Sequence, residues 1–535
     1  MSTPFAELRF NDPGRAFAAL EALLQEVPSD LAQHLAYALE ESAEPDLVLT
    51  RLERYLGSSL SRASELDRMA QAPFYARLLA RIFDQSSFLT DIVCRNPEYV
   101  TWLWDEVDLN VTPPKEVLAL ELAHLIAAFD TFADHCKALR RFKRREFLRI
   151  AVRDVFAHCD LADVVEDLSN LADVTLEAAC ESAHRALIKR YGAAHGTIEG
   201  GLAIIAMGKL GGRELNFSSD IDLMFLHTGD AAGEHPLGRS RAEYFQKAGE
   251  LIIKAISENS ADGHVFRVDM RLRPHGNRGP LATAEQTALV YYEQVGQAWE
   301  RQALLKARAV AGDLVLGERF IERTRPFVFP RYFDDSILED IREVKQQMEA
   351  LVEQRGETET EVKLGRGGIR DIEFTIQVLQ LLNGGRFEEL RTTNTLEAIE
   401  ALGLRHLLRP LDAATLSSNY VFLRQVEHRL QIENSQQVHA LPKKAEALET
   451  FARRMGYASA ASFMSEYRDR TEANRTILDQ FLATEGAGFR WVKDLLNAHS
   501  AAESSLPKLE ELGFQELERA RRELLLLCNG TVGRP

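Results

Sequence analysis

The sequence predicts an α+β fold that is predominantly helical, with one compact island of strands set between long helical flanks. Two observations carry that reading. From about residue 15 to 195, and again from about 335 to 483, apolar residues recur at three- and four-residue spacing, the period of helices with one buried face. Between about 195 and 325 this gives way to short apolar runs bounded by glycine.

In the first flank, Asn96-Pro97 and Thr112-Pro113-Pro114 punctuate the helices, with Thr112 placed to cap a helix that has proline in its first turn. Trp102 and Trp104 are expected to pack between helices. Lys137, Arg140, Arg141, Lys143, Arg144, Arg145 and Arg149 form a strongly basic segment, interleaved with Leu139, Phe142, Phe147, Leu148 and Ile150. Two readings stand for it: an amphipathic helix with a solvated basic face, or a surface for an acidic partner or a nucleotide phosphate.

The island opens with Leu202 to Met207, a continuous apolar run expected of a buried strand. A glycine-rich turn leads to a second run, Ile221 to Leu226. Arg241 to Glu258 has helical period through Phe245, Leu251, Ile252 and Ile256, and His264 to Arg271 alternates as a third strand should. In the second flank, Gly486-Ala-Gly488 looks like a boundary, and Leu506 to Cys528 resumes as helix.

With 535 residues the chain is expected to hold two to four domains. Its formal charge of -17 argues against a nucleic-acid binder, which needs a basic surface to neutralise phosphates. The cysteines (Cys94, Cys136, Cys159, Cys180, Cys528) are scattered, so neither a disulfide framework nor a zinc site is expected. No secretory signal and no membrane-spanning stretch is apparent, so the expectation is a cytoplasmic protein with reduced thiols.

The chemistry concentrates between Met207 and Phe225. A strand runs into a glycine turn at Gly208, Gly211 and Gly212, whose free N–H groups can cradle a phosphate. After Ser218 and Ser219, Asp220 and Asp222 stand two residues apart on the next strand, so both carboxylates share one face. Adjacent like charges are costly unless a cation neutralises them, and a hard divalent ion such as Mg²⁺ suits oxygen ligands. Asp269 is the natural third ligand, because its strand can pair beside the first two. Metal held by such a trio serves in-line phosphoryl displacement. Lys209, Arg213, Arg267, Arg271 and Arg273 would supply positive charge for a nucleotide's phosphates, the last three sharing an alternation with Asp269 if that strand continues.

Ser218 and Ser219 are poor nucleophiles, since no His lies near enough to suggest a triad, and His264 and His275 are expected to be structural or to support the site from behind, not to be catalytic. A second constellation runs from Lys363 to Phe374 with glycines at 365, 367 and 368. It is either a phosphate approach or a tight inter-helix turn, with Asp371 placed to cap the helix carrying Glu373, Phe374 and Gln377.

At these residues the sequence resembles the adenylyl-removing, N-terminal half of the bacterial glutamine synthetase adenylyltransferase family. The family pattern G-K-L-G-G-x-E-L-N-x-S-S-D-I-D-L stands intact from Gly208 to Leu223. Val265 to Pro274, Gly279-Pro-Leu281, Trp299-Glu-Arg301, Lys306-Ala-Arg308, Gly365 to Phe374 and Tyr420 to Arg429 also match. The resemblance implies a polymerase-beta-type nucleotidyltransferase domain over 166–325, preceded by a helical region over 1–165. It is followed by a helical bundle over 326–483 and the start of a further helical region over 484–535.

It further implies phosphorolysis of the adenylylated tyrosine of glutamine synthetase, giving ADP, with Mg²⁺ as cofactor and regulation by the uridylylated PII signalling protein and 2-oxoglutarate. AMP and phosphate would sit at the Gly211-Gly212 turn and its neighbouring basic residues. Asn216-Phe-Ser-Ser219 and Arg267-Val-Asp-Met270 resemble the removing domain of these multifunctional enzymes more than the attaching one. No second copy of the motif follows residue 230, so the chain reads as a truncated piece or a stand-alone removing enzyme. Alternatives are ATP-dependent adenylylation of glutamine synthetase, or a non-catalytic module binding PII or glutamine synthetase.

Overall fold

The computed structural model describes residues 10–24, 30–156, 159–191, 201–228, 241–330 and 360–496, with Phe5 and Leu8; side chains are described up to Phe481. The chain opens with helices α1 (Pro13–Leu24), α2 (Asp30–Glu40), α3 (Pro45–Ser58), α4 (Arg62–Gln71) and α5 (Pro73–Gln85). There follow α6 (Ser87–Arg95), α7 (Glu98–Asp105), α8 (Lys115–Ala127), α9 (Phe132–Val155) and α10 (Leu161–Tyr191). Side-chain caps start several of them. Ser86 accepts the Leu89 N–H at 3.0 Å to open α6, and Thr131 accepts the Asp134 N–H at 3.2 Å to open α9.

Thr112 is not such a cap. Pro114 holds the extended backbone before α8, with ψ 146°, so the helix begins only at Lys115. The Thr112 hydroxyl instead accepts a hydrogen bond from Arg153 at 2.7 Å. Trp104 stacks on Phe74 at 6.0 Å, and Arg145 lies 4.5 Å over Trp102, so both tryptophans pack between helices as expected.

The basic segment lies in α9, and its charges are mostly turned inward. Arg140, Lys143 and Arg149 are buried, and only Lys137 and Arg141 are exposed. Arg149 makes a two-pronged pair with Asp167 of α10 at 2.7 Å and also reaches Glu146, while Arg153 meets the same Asp167 at 2.8 Å. Arg140 reaches Glu258 at 3.2 Å and Arg144 reaches Asp262 at 3.5 Å. Neither a solvated face nor an external acidic partner describes this helix, because its acids come from distant parts of the same chain.

The sheet contains β1 (Leu202–Met207), β2 (Asp220–His227), β3 (Arg267–Asp269), β4 (Ala282–Ala284) and β5 (Arg308–Gly312). Its order is β3-β2-β1-β5, with β4 pairing the far end of β2. β1 is antiparallel to β2 and β5, whereas β3 is parallel to β2. The third strand is shorter than expected. Asp269 accepts the Arg271 N–H at 2.8 Å, a local turn that ends pairing there.

Between the strands lie α11 (Gly208–Gly211), α12 (Arg241–Ser257), α13 (Glu285–Gln294) and α14 (Ala298–Leu304), and α15 (Leu314–Val328) follows β5. The last described helices are α16 (Ile369–Asn383), α17 (Thr395–Leu404), α18 (Pro410–Asn434), α19 (Ala445–Arg454) and α20 (Ala460–Leu496). α20 runs through Gly486 and Gly488, where a boundary was expected; a glycine weakens a helix by about 1 kcal/mol without breaking it. The expected helix from Leu506 to Cys528 lies outside the described residues.

Both faces of the sheet are buried, which explains the unbroken apolar runs. Leu202, Ile204, Ala206, Ile221, Leu223 and Phe225 join the core built by the N-terminal helices. Ala203, Ile205, Met207, Met224 and Leu226 face the other way, towards Phe320, Phe374 and Leu478. By the two-residue period, Asp220 and Asp222 stand on this second side, at the end nearest the C-terminal helices. Among the described residues no helix is long and apolar enough to cross a membrane.

Two consequences for stability follow from α9. Replacing Asp167 with Ala leaves Arg149 and Arg153 buried without their shared carboxylate, and urea unfolding should show a loss of about 3–5 kcal/mol. Lys143 differs from its neighbours: its ammonium lies 4.1 Å over Phe147 with no carboxylate partner among the described residues, and burial, then Arg144 and Arg267, pull it down to about 7. An ammonium depressed in the folded state costs stability in full below that value, and the cost fades as pH rises towards the ordinary lysine range. Lys143→Met should therefore unfold at higher urea than the parent at about pH 7, with the gap narrowing by about pH 9.5. A gap independent of pH would exclude a charged, strained Lys143.

Candidate active site

The glycine turn owes its composition to close packing. Gly208 has φ +57°, and a Cβ there would lie 2.3 Å from Asp222 Oδ2. At Gly211 a Cβ would fall 1.8 Å from the Lys306 carbonyl oxygen, and at Gly212, 2.9 Å from that of Thr393. Gly211 and Gly212 therefore seat neighbouring backbone against the turn and do not line the cavity.

Register brings the three aspartates together. On the parallel β2–β3 pair, Asp222 lies opposite Asp269 and Asp220 opposite Arg267. Burial, then the charges of Asp269 and Asp220, push the Asp222 carboxyl up to about 6. Asp269 goes the other way, held below the usual carboxylate range by its hydrogen bonds from Arg271. Asp220 accepts from Arg267 Nε at 2.6 Å, and the same guanidinium donates to the Ser218 carbonyl at 2.6 Å.

These groups open on a cavity of about 660 Å³ between the sheet end and the C-terminal helices. Of the residues singled out from sequence, it gathers Gly208, Lys209, Ser218, Ser219, Asp220, Asp222, Asp269 and Arg271. The facing wall brings Lys306, Lys363, Arg370, Glu373 and His439, so cations and carboxylates alternate around the space. Arg267 braces the trio from beside the cavity. Arg213 turns away to Asn170 at 3.3 Å, and Arg273 is buried, donating to the carbonyls of Met270, Gly279 and Pro280. The early end of β3 at Asp269 takes Arg273 off the shared face.

The Lys363–Phe374 stretch divides between its two readings. Gly367, with φ +69°, packs where a Cβ would fall 1.8 Å from the Thr471 carbonyl oxygen, which is a tight inter-helix contact. Its N–H is bonded by Asp371 at 2.7 Å, while Lys363, Arg370, Glu373 and Gln377 do line the cavity. His264 lies beside Lys143 and Arg267 and is lowered by burial first to about 4, and His275 packs edge-on against Tyr291 at 4.4 Å. Neither lines the cavity.

The helix behind the loop supplies residues to which the sequence reading, though it matched Tyr420 to Arg429, gave no role. Glu427 of α18, fully buried, accepts from Lys209 Nζ at 2.9 Å. Arg424, one turn earlier, donates to the Glu214 carbonyl at 2.7 Å and to Asn216, and Gln431 accepts the Ser218 N–H at 2.8 Å. Burial alone would raise Glu427, but Lys209, His439 and Arg424 outweigh it and hold it well below the carboxylate range. Burial also brings Lys209 down to about 8 despite that partner. The usable signal was Arg424, Glu427, His428 and Gln431 at three- and four-residue spacing, polar side chains that share one face of the helix.

Among the described residues, no three His, Cys, Asp or Glu side chains already converge on a single point as metal ligands do. Asp220 is instead paired with Arg267 and Asp269 with Arg271, each at 2.6 Å. The donor set nonetheless fits a hard divalent cation: Asp222 is paired with Asp269 and two residues from Asp220, and its carboxylate is destabilised by burial and then by the charge of both, in a polar cavity.

Residues 76–323 match the family model described as glutamate-ammonia ligase adenylyltransferase, and residues 336–482 the one described as GlnD PII-uridylyltransferase. A protein of Pseudomonas aeruginosa named bifunctional glutamine synthetase adenylyltransferase/adenylyl-removing enzyme is 38% identical over 514 residues, covering 91% of this chain and 51% of that one. Proteins of the same name from Thioalkalivibrio sulfidiphilus and Xanthobacter autotrophicus are 34% and 37% identical, covering 90% and 78% of this chain and 50% and 43% of theirs. The chain thus spans about half the length of the curated relatives it matches.

Substituting Glu427 tests the support behind the site. Glu427→Gln should cost about 3–5 kcal/mol in thermal or urea unfolding, because Lys209 and Arg424 lose a buried countercharge. Adding Lys209→Met should restore part of that loss. Additive effects would mean the two residues do not interact.

Proposed function

We propose, from the premise that this chain belongs to the glutamate-ammonia ligase adenylyltransferase family as a half-length relative of its bifunctional members, that it removes AMP from adenylylated glutamine synthetase by phosphorolysis. On this reading residues 166–325 form a polymerase-beta-type nucleotidyltransferase domain between the helical region of 1–165 and the bundle of 326–483, with 484–535 beginning a further helical region. One observation carries the proposal: three aspartates on two paired strands share a single cavity with Lys209, Arg271, Lys306, Lys363 and Arg370.

Asp220, Asp222 and Asp269 would hold Mg²⁺. When bound, such an ion supplies charge neutralisation to the reacting phosphoryl group. The cations of the facing wall bind and orient the phosphates, one belonging to AMP and one incoming. An oxygen of inorganic phosphate attacks the AMP phosphorus; the bond from that phosphorus to the tyrosine oxygen breaks; ADP leaves, and the phenolate takes a proton from water. Phosphate arrives ionised, so no strong general base is required. Direction towards removal rests on Asn216-Phe-Ser-Ser219 and Arg267-Val-Asp-Met270. The match of residues 336–482 to a PII-uridylyltransferase model supports a PII signalling protein as regulatory partner. Acting on glutamine synthetase, the chain would work in the cytoplasm.

The test is to incubate the chain with adenylylated glutamine synthetase, Mg²⁺ and phosphate, and to follow ADP and the tyrosine modification. Release of ADP is expected. Gain of AMP from ATP by the unmodified enzyme would reverse the assignment, and neither reaction would leave a non-catalytic binding module. Asp222→Asn should lower kcat by about 1,000-fold or more. Since the Asp222 carboxyl is raised to about 6, its ionised form costs stability at neutral pH, so the variant should unfold no earlier than the parent.

A further inference from the structure

The wall of the active-site cavity is not charged throughout. Besides its cations and carboxylates it carries Leu272, Trp299, Gln302, Ala303 and Gln377. Trp299, Gln302 and Ala303 stand at three- and four-residue spacing on α14, so they share one face. Their neighbours fix that face. Glu300 closes a capping box with Gln297 and accepts from the Tyr291 hydroxyl at 2.9 Å, and Arg301 lies 4.2 Å over the Phe327 ring. Trp299 is left against the cavity, 42% exposed and outside the apolar cores among the described residues. An indole so placed offers a flat face on which a heterocyclic base can stack.

The two glutamines add direction. Gln302 Nε2 donates to Gln377 Oε1 at 2.6 Å, from α14 to α16, and both side chains are half-buried on the cavity wall. Neither makes another hydrogen bond among the described residues. Their mutual bond leaves the Gln302 oxygen to accept and the Gln377 amide nitrogen to donate. Adenine carries the matching pair on one edge, an amino donor at N6 beside an acceptor at N7, whereas guanine shows two acceptors there. Gln377 also stands seven residues beyond Arg370 on the same helix, two turns or about 10 Å away. That separation sets the amides apart from the cations by the reach from a nucleotide's phosphate to its base.

We propose that Trp299 stacks on the adenine of the nucleotide held at the active centre, with Gln302 accepting from its N6 amino group and Gln377 donating to N7. These residues determine which base is accepted and take no part in making or breaking bonds. The inference rests on reading the centre as a nucleotidyl-transfer site, but not on the direction of transfer, since an adenine nucleotide takes part either way.

Calorimetric titration of the full chain with ADP, GDP, UDP and pyrophosphate, each with Mg²⁺, tests this. ADP should bind about tenfold or more tightly than GDP or UDP. Trp299→Ala should weaken ADP by about tenfold or more and leave pyrophosphate within about twofold, while Trp299→Phe keeps most of the affinity. Gln302→Leu with Gln377→Leu should bring ADP and GDP to within about threefold of each other. Equal binding of the three nucleotides, an ADP affinity unchanged within about twofold in Trp299→Ala, or no heat from ADP at about 10 mM would overturn the proposal. Selective ADP binding through Trp299 without release of ADP from adenylylated glutamine synthetase would sink the reaction and leave the base site standing. Release of ADP with kcat/KM unchanged in Trp299→Ala would do the reverse.

Discussion

The buried carboxylate of Glu427 is the constraint on which the active centre depends. It sits behind the loop from Gly208 to Ser219, where Lys209 reaches it, with Arg424 and His439 alongside. A carboxylate taken fully out of water persists only when surrounded by opposite charge and hydrogen bonds. Satisfying it fixes Lys209, and with Lys209 the turn at Gly208 that lies against Asp222. Arg424 and Gln431 then clamp Glu214, Asn216 and Ser218, so the strand carrying Asp220 and Asp222 leaves the loop at one defined point. The sheet provides the register, and α18 provides the loop.

This arrangement lets a chain of strongly negative net charge gather cations around one cavity. The cavity draws Lys209 and Arg271 from the sheet side and Lys306, Lys363 and Arg370 from the facing wall. Several carry their own countercharges: Lys306 pairs with Glu214 and approaches Glu373 at 3.9 Å, and Lys209 has Glu427. Burial would raise Glu373, yet Lys306, Lys209 and Arg370 keep it below the ordinary carboxylate range. A cation already balanced behind the cavity wall can face a phosphate without the cost of an isolated buried charge. Arg267 and Arg271 do the same for the trio, one donating to Asp220 and the other to Asp269. On the proposed reading, a divalent ion taking those carboxylates would free both guanidiniums for phosphate oxygens.

What sequence made legible was what local periodicity controls. β1 and β2 stood out because both faces are buried, and Asp220 and Asp222 stood out because a strand puts alternate residues together. The mixed, mostly helical architecture followed from the same patterns. β4 and β5 were not read as strands, because Ala282–Ala284 is too short for a period and Arg308–Gly312 begins with a charge that Asp173 satisfies at 2.7 Å. α9 was misread for a similar reason: its basic residues look solvent-facing until Asp167, Glu258 and Asp262 arrive from elsewhere. Arg213 and Arg273 looked like phosphate ligands by spacing alone, and each is diverted by a contact no local pattern reveals.

α10 turns these separate observations into one frame. Along its length, Asp167 neutralises α9, Ser169 accepts the Leu215 N–H at 3.3 Å, and Asp173 holds Arg308 and Lys115. Glu177 then receives the Gly312 N–H at the end of β5, at 2.8 Å. Its final turns line a second cavity with Ser182, Arg185 and Lys189. A helix rises 1.5 Å per residue, so about 18 Å of rigid rod separates Asp173 from Arg185. Its grip on the active centre is made of buried ion pairs and backbone hydrogen bonds, which tolerate little sliding. Displacement of its last turns is therefore resisted at Ser169 and Asp173, the same contacts that set the glycine loop and β5.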